Sequence, residues 1–262
     1  MAFLAFVAAP GGSEEEPISD NSFFIEEAYN QEPGVVQHIF VNFNYFSPQR
    51  DMFWVFTQEW PISSQTHQFS YSVPLTSLNS GVSAGIGDLM LNYRHQWPMA
   101  EESRLAIAPR ASVVVPTGDA NKGLGSASWG AQFNLPVSKV LSPSFVTHWN
   151  AGLTWLPSGK GFDTLGAEVR ASLISFNAGA SVIWLAAPLA NLMLEYVFTN
   201  TASIDASGLV ARTTEHVLSP GVRFAINAGD LQVVPGIAVP FSWQGTTART
   251  GFVFYLSLEH PF

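Results

Sequence analysis

The sequence predicts an all-β protein, an antiparallel transmembrane β-barrel of about 12 strands with short periplasmic turns and longer outer loops. Three observations predict this fold. The chain carries few charges for its apolar content, apolar and polar residues alternate along most of its length, and the joins between the alternating segments are short and long in turn. Together these observations favour a closed sheet in lipid over a soluble sandwich, whose outward positions would be rich in charge.

The composition sets the first limits. Hydrophobic residues make up 47% of the 262 residues and charged residues only 12%, whereas soluble domains carry roughly 25% charged residues. The mean hydropathy of +0.18 is too low for a helical bundle in lipid. The chain has 20 Phe, 8 Trp, 21 Gly and 17 Pro. These residues suit many short strands and turns, and they exclude a coiled coil or a disordered chain.

Charge and cysteine content exclude several functional classes. The net charge is −9, and the sequence has no basic stripe of the kind that binds nucleic acid. Because the chain has no Cys, disulfides, thiolate metal sites and thiol nucleophiles are excluded. No nucleotide-binding loop and no His-Glu-x-x-His motif is present. The six His are scattered along the chain, so the sequence predicts no metal and no cofactor.

The N-terminal region differs from the rest of the chain. Seven of the 20 acidic residues precede residue 33, and no Lys or Arg does. The first ten residues, MAFLAFVAAP, resemble the end of a secretory signal, with an apolar stretch that closes on small residues. We therefore divide the chain into a signal remnant with an acidic leader, residues 1–33, and a barrel, residues 34–262.

The alternation has the period of a strand. Residues 171–194 carry no charge and are long enough for a membrane helix, yet they contain Pro188 and alternate with period 2, so two strands joined at 187–189 are predicted. Successive strand side chains point to opposite faces. The polar face is mostly Ser, Asn, Gln, Gly and Thr, which predicts an apolar face toward lipid and a polar face toward the lumen.

The predicted strands follow one another closely. They lie near residues 35–46, 52–60, 64–74, 86–97, 104–115, 127–138, 144–156, 173–186, 190–200, 213–226, 231–241 and 249–262. Short joins, assigned to the periplasmic side, lie near residues 61–63, 98–103, 139–143, 187–189 and 227–230. Mostly longer joins, assigned to the outer side, lie near residues 75–85, 116–126, 157–172, 201–212 and 242–248. An even strand count with this asymmetry is typical of bacterial outer-membrane barrels.

Tryptophans mark two levels along the predicted strands. Trp60, Trp97 and Trp184 lie near the turn side. The loop side holds Trp54, Trp129, Trp155 and Trp243, while Trp149 lies in mid-strand. Two interfacial girdles of aromatic residues are expected of a membrane barrel.

Several motifs resemble a known family. They are Gly85-Ile86-Gly87-Asp88-Leu89, Tyr93-Arg94, Val115-Pro116-Thr117-Gly118-Asp119, the later Gly123, Gly125, Ser126 and Trp129, and the leader Phe24-Ile25-Glu26-Glu27-Ala28-Tyr29-Asn30-Gln31-Glu32. Over roughly residues 20–262 the chain resembles the outer-membrane family labelled "Putative MetA-pathway of phenol degradation". The resemblance implies a transporter-like barrel for small molecules, with aromatic or hydrophobic compounds as the solutes that the label suggests.

The candidate functional residues are ionisable groups placed in the lumen by parity. They are His38, Glu59, Asp88, Arg94, Arg110, His148, Glu195, Arg223 and Glu259. One interpretation is a channel lining that sets selectivity, and the other is a salt-bridged filling of a structural or adhesion barrel. An outer-membrane lipase is a third alternative, but the outward His residues have no Ser two positions away, so no catalytic residue is assigned.

Partners follow from the same reading. The outer wall predicts contact with outer-membrane lipids, and the lumen predicts a small-molecule solute. The last strand carries apolar residues at alternate positions and ends in Phe262, which resembles the signal read by barrel-assembly machinery. The predicted location is the bacterial outer membrane.

Three arrangements are specific enough to test. The leader, residues 22–32, is either a plug in the periplasmic mouth or a loose tail. Pairing of the first and last strands predicts His38 inside the barrel, flanked by Glu59 and Glu259. Where lumen positions of strands 86–97 and 104–115 face each other, their two residue numbers should add up to about 200 or 202. This register predicts an ion pair between Asp88 and Arg110 with Arg94 nearby.

Overall fold

The fold, obtained as a computed structural model, is a single closed antiparallel sheet. The structure describes residues 21–46, 50–78, 83–98 and 103–262. The signal-like residues 1–10 and the first acidic cluster of the leader lie outside the described residues. Within the described residues, no helix is long and apolar enough to cross a bilayer.

Twelve strands form the wall, and four of them contain a short break. The strands are β1 (Val35–Tyr45), β2 (Asp51–Ile62), β3 (Ser64–Leu78), β4 (Ser83–Ile86 and Leu89–His95), β5 (Leu105–Ile107 and Arg110–Val115), β6 (Gly130–Ser142), β7 (Phe145–Phe162), β8 (Glu168–Ala187), β9 (Ala190–Ile204), β10 (Val210–Phe224 and Ile226–Ala228), β11 (Leu231–Ala238 and Phe241–Gln244) and β12 (Thr247–Pro261). The strand β3 also pairs with both parts of β4. The predicted barrel of about 12 strands is confirmed.

Closure occurs between the first and last strands. The strands β1 and β12 pair antiparallel from Val35 opposite Pro261 to Tyr45 opposite Gly251. This pairing uses the backbone groups that an open sheet would leave exposed, as a barrel in lipid requires. The predicted seam is therefore confirmed.

The periplasmic turns are short, as predicted. Ser63 alone separates β2 from β3, with a positive φ of 63°. Two-residue turns join β6 to β7, β8 to β9 and β10 to β11. The uncharged stretch predicted as two strands is the β8–β9 hairpin, in register from Phe176 to Ala187.

The outer ends differ from the expectation in one respect. Most of the residues assigned to outer loops extend the strands instead, so that β7 has 18 residues and β8 has 20, whereas about 9–11 tilted residues span a bilayer. The carboxylate of Asp163 closes the β7–β8 hairpin by accepting the Leu165 and Ala167 N–H groups. Most of residues 157–172 therefore extend the β7–β8 hairpin beyond the length that spans a bilayer.

The two faces of the wall have opposite polarity. Large apolar side chains are exposed on the outside, including Leu91, Val113, Phe133, Phe176, Leu194 and Phe254. Polar side chains are buried inside, including Gln68, Asn92, Asn134, Ser181, Glu195 and Ser219. This inversion of the soluble pattern is the arrangement of a barrel whose outer wall meets lipid.

The outer girdle lies where the outward side chains change from apolar to polar. The indole of Trp155 donates its Nε1–H to the Ser172 hydroxyl, at 3.1 Å. Below this level on β8, Ile174 and Phe176 point outward, and above it Arg170 and Glu168 form an ion pair of 2.8 Å. Amphipathic Trp side chains prefer this boundary.

Candidate functional site

The N-terminal segment, residues 21–34, lies inside the barrel. Its backbone N–H groups bond to side chains of the wall, in contrast to the strand-to-strand ladder of the wall itself. Four of these bonds are Glu26 N–H to Asn150 Oδ1 at 2.8 Å, Ala28 N–H to Ser138 Oγ at 2.8 Å, Asn30 N–H to Gln96 Oε1 at 2.8 Å and Gln31 N–H to Gln68 Oε1 at 2.7 Å. We call residues 21–34 the plug segment.

Glu195 forms a cradle for the start of the plug segment. One oxygen, Oε1, accepts the N–H groups of Phe23, Phe24 and Ile25 at 3.1, 2.9 and 3.1 Å. The side chain lies on β9 and is fully buried. Three convergent backbone donors on one carboxylate oxygen make a strong, geometrically defined contact.

A notch of small residues in the wall receives Phe23. The ring packs beside Tyr255, with centroids 5.2 Å apart. A Cβ placed on Gly221 or Gly236 would lie 2.6 Å from the Phe23 ring. Since real Cβ atoms do not approach that closely, glycine at these two positions is what allows the ring to dock.

Glu26 lies at the centre of the plugged lumen. Its Oε1 forms an ion pair with Arg94 Nη1 at 3.2 Å, and its Oε2 forms one with Arg110 Nε at 2.9 Å. Asn134 donates a further hydrogen bond to Oε2, at 2.8 Å. Arg94 and Arg110 face each other across β4 and β5, so the carboxylate separates two guanidinium groups that would otherwise repel.

Arg94 holds several parts of the plug segment at once. Its guanidinium donates to the carbonyl oxygens of Glu27 at 3.1 Å and Tyr29 at 2.5 Å, and to Asn30 Oδ1 at 2.7 Å. Glu59 of β2 lies 3.8 Å away and receives a hydrogen bond from Gln68 at 2.7 Å. The side chain of Arg94 is 2% exposed, which makes it the main anchor of the segment.

The two adjacent carboxyl groups of the plug segment differ in protonation. Burial works to raise the pKa of Glu26, but the guanidinium groups of Arg110 and Arg94 outweigh it, and the pKa lies below the usual value. Burial raises the pKa of Glu27 to about 7, with Arg94 opposing the shift. The docked segment thus holds Glu26 ionised at neutral pH, whereas Glu27 titrates close to neutral pH.

Arg223 and His148 fix the segment at two further points. Arg223 donates to the Asn21 carbonyl oxygen at 2.5 Å and lies over the Tyr255 ring, 4.7 Å from its centroid. His148 Nδ1 lies 2.6 Å from Ser138 Oγ, which also receives the Ala28 N–H. Both His148 and Arg223 are fully buried.

The predicted lumen position of His38 is wrong. The strand β1 places Gln37 inside, opposite Glu59 on β2 and opposite Glu259 on β12, whose carboxylate accepts the Gln37 amide. His38 points outward and stacks near Phe56. The two carboxylates therefore flank a residue as predicted, but that residue is an amide that cannot titrate. The inward face of β1 also carries the apolar residues Ile39, Val41 and Phe43, so polarity does not show which face of this strand lines the lumen.

The predicted ion pair between Asp88 and Arg110 is also wrong. Arg94 faces Arg110, so the residue numbers of facing pairs add up to 204 and not to 200 or 202. The register is therefore shifted by one lumen-facing position from the prediction. Asp88 instead accepts the Gly118 N–H at 3.0 Å, the Ser126 N–H at 2.7 Å and the Ser126 hydroxyl at 2.6 Å. It anchors the loop between β5 and β6, and the expectation of Arg94 near Arg110 is correct.

This anchor yields a prediction for Asp88→Asn. The change removes charge from three hydrogen bonds, each worth about 1–3 kcal/mol with a charged acceptor, so the loop at 116–129 should open more often. Lys122 is exposed on that loop, and trypsin should cleave after it faster than in the parent protein. Asp205→Asn, which alters the turn of the β9–β10 hairpin, is the control. Equal cleavage rates in the two variants would contradict the assignment.

The sequence alone did not identify the centre of this site. Glu26 was part of the leader, and Asn134, Ser138 and Asn150 were ordinary polar positions of their strands. The one available signal was the combination of a leader rich in acidic and aromatic residues with inward Arg94 and Arg110, since buried guanidinium groups require an anion.

A cavity remains beside the plug segment. It has a volume of about 210 Å³ and lies between the segment and the wall formed by β1–β5. Its lining includes the apolar Phe23, Phe24 and Ile39 and the hydroxyl-bearing Thr57 and Ser70. Glu59, Arg94 and Arg110 reach its edge. The lumen is thus narrowed but not filled.

A closed barrel with an apolar outer wall, two aromatic girdles and a polar lumen defines the class of bacterial outer-membrane β-barrel proteins. The sequence of residues 42–257 matches the family described as "Putative MetA-pathway of phenol degradation", and the chain belongs to that family. No curated protein matches the chain.

Solved structures of low sequence identity share the fold. The COG4313 outer membrane channel from Pseudomonas putida F1 is 14% identical, with a TM-score of 0.67 over 90% of this chain and 98% of that one. The NanC porin is 7% identical, with a TM-score of 0.52 over 86% and 100%. The KdgM porin, solved in complex with disordered oligogalacturonate, is 8% identical, with a TM-score of 0.50 over 87% and 99%.

Proposed function

We propose that this protein is an outer-membrane channel or transporter for small molecules, closed by the plug segment and opened when that segment moves. The leader, residues 1–33, and the barrel, residues 34–262, are then two functional parts. The observation that carries the proposal is how the segment is held. It docks through side-chain hydrogen bonds and ion pairs to the wall, while the wall has its own complete ladder.

The energetics of docking favour a removable plug. A typical intramolecular hydrogen bond contributes about 1 kcal/mol net, since water replaces it when it breaks. The wall strands are held by ladders of many backbone bonds each, whereas the N–H groups of the plug segment contact a few side chains of the wall, three of them on Glu195. Withdrawal of the segment would therefore leave the barrel closed and its polar lumen wetted.

The substrate class follows from the cavity and the family description. The aromatic lining residues Phe23, Phe24 and Tyr255 suit a small aromatic or hydrophobic ring, and Thr57, Ser70 and Asn92 offer hydrogen bonds to a polar substituent. We propose small aromatic compounds as solutes. Glu59, Arg94 and Arg110 at the cavity edge are then the selectivity-setting residues.

An engineered cross-link tests whether the segment must move. The hydroxyls of Ser22 and Ser181 lie 2.9 Å apart, and the chain has no Cys of its own. In Ser22→Cys/Ser181→Cys, oxidation should lower solute uptake by proteoliposomes at least tenfold, a change of about 1.4 kcal/mol or more in the opening equilibrium. Dithiothreitol should restore the parental rate. Each single variant should be insensitive to oxidant.

Two results would count against the proposal. Uptake by the oxidised double variant at the parental rate would show that the segment need not move. Absence of conductance and of uptake in every variant would favour the second candidate, a structural or adhesion barrel. The observation that favours this alternative is the burial of Arg94, Glu195 and Arg223 against the segment.

A further inference from the structure

Two histidines meet on the outer wall where the barrel closes. His38 lies on β1 opposite Leu258, and His260 lies on β12 opposite Val36, so the two are diagonal neighbours two residues apart at the periplasmic end of the seam. Their Nε2 atoms are 3.2 Å apart, and their ring centroids are 5.3 Å apart. Both side chains are partly exposed on the outer surface of the isolated barrel.

The hydrogen bonds of His260 fix its tautomer. Its Nδ1 lies 2.7 Å from the Pro261 carbonyl oxygen, and a carbonyl oxygen can only accept, so Nδ1 carries the proton. The Nε2 of neutral His260 is therefore a lone pair directed at His38. A histidine that donates one ring N–H to a backbone carbonyl and presents the other nitrogen is the usual arrangement of a metal ligand.

We propose that His38 and His260 bind a divalent transition-metal ion, Zn²⁺ or Cu²⁺, through their Nε2 atoms. Zinc–nitrogen bonds of about 2.0–2.1 Å at a tetrahedral angle place the two nitrogens roughly 3.3–3.4 Å apart, close to the separation observed. The described residues contain no group of three or more His, Cys, Asp or Glu suited to a metal. Water completes the coordination.

A second histidine pair on the same wall lacks one of these features. His67 and His95 face each other across β3 and β4, with Nδ1 atoms 3.4 Å apart. The Tyr93 hydroxyl, however, lies 2.6 Å from the Nδ1 of His67. A metal at this pair would have to displace that hydrogen bond, so the seam pair binds more tightly.

A metal ion at this position on the seam would stabilise the closed barrel. The strands β1 and β12 come from opposite ends of the barrel sequence, and a shared metal ion joins them beside their hydrogen-bonded ladder. An ion that binds the folded state alone stabilises it by mass action. The scattered sequence positions of the six His concealed this pair because only barrel closure brings residues 38 and 260 together.

The test is a Cu²⁺ and Zn²⁺ titration of the refolded full chain in detergent, without an affinity tag that binds metal. The parent should bind a first equivalent of Cu²⁺ with the electron paramagnetic resonance signature of two imidazole nitrogens. His38→Gln and His260→Gln should bind it at least about tenfold more weakly. His67→Gln is the matched control and should retain the first equivalent.

Stability supplies the second measurement. Zn²⁺ should raise the unfolding temperature of the parent and of His67→Gln by several degrees and leave His38→Gln unchanged. Heat-modifiable migration on gels identifies the variants that are folded. If only one of His38→Gln and His260→Gln folds, that variant is sufficient for the test. A parent that binds no Cu²⁺, or a first equivalent that binds folded His38→Gln as tightly as it binds the parent, would overturn the assignment.

Discussion

Deletion of residues 10–33 is expected to raise the single-channel conductance of the barrel several-fold. The deletion removes the plug segment up to the residue before Gly34 and joins the remaining 210 Å³ cavity to the space that the segment occupied. The strand β1 starts at Val35, so the ladder between β1 and β12 is untouched. The measurement is conductance in planar bilayers, together with uptake of a small aromatic solute.

The barrel should tolerate this deletion. Arg94, Arg110 and Glu195 lose their partners in the plug segment, but water enters the emptied lumen and solvates them, which removes most of the cost of an unpaired buried charge. Deletion of residues 10–20 is the matched control, because it keeps every residue observed in the lumen, and its conductance should equal that of the parent. Equal conductance of the two deletions would rule out a plug.

Glu26→Ala is expected to weaken docking of the plug segment by about 2–4 kcal/mol, since it leaves two facing guanidinium groups without their shared anion. The probability of the open state should rise in proportion, and bilayer recordings should show more frequent openings than in the parent. Glu32→Ala, a change at an exposed position of the same segment, is the control and should behave as the parent.

A double-mutant cycle isolates the contact. Arg110 Nε lies 2.9 Å from Glu26, so the effect of Glu26→Ala should be smaller in an Arg110→Gln background than in the parent. Strictly additive effects on open probability would show that Glu26 and Arg110 act independently. Arg110 would keep its hydrogen bonds to Asn92 and Gln132 in the single Glu26 variant, so the wall at this position should stay folded.

Much of the barrel followed from the sequence because its determinants are local. The period of two in residues 86–97 placed Asn92 and Arg94 inside, and both are buried there. The pattern in the last strand correctly placed Ser257 and Glu259 on the side opposite Leu258, with Ser257 buried and Glu259 bonded to the inward Gln37. The turn at Pro188 was predictable because a helix does not tolerate proline in its interior.

Register was not predictable in the same way. The β4–β5 hairpin closes around residues 96–104, and the alternation on either side fixes which face each residue takes but not where the turn is centred. A register in which the residue numbers of facing pairs add up to 204 leaves every side chain on the same face as a sum of 200 or 202. The alternation of polar and apolar residues therefore could not distinguish these registers. This shift separated Asp88 from Arg110 and brought Arg94 opposite Arg110.

The sequence by itself determined the number of strands, the faces of the strands other than β1, the membrane-facing wall and the short periplasmic turns, because alternation and turn chemistry act over a few residues. Only the tertiary structure decided that residues 21–34 enter the lumen, that Glu26 joins Arg94 and Arg110, and that β1 faces the lumen with Gln37. The ring centroids of the inward Phe43 and of Phe24 in the plug segment lie 5.0 Å apart. Both faces of β1 therefore carry apolar residues, one face toward the plug segment and the other toward lipid. Contacts between residues far apart in sequence depend on closure of the ring, and no local pattern encodes them.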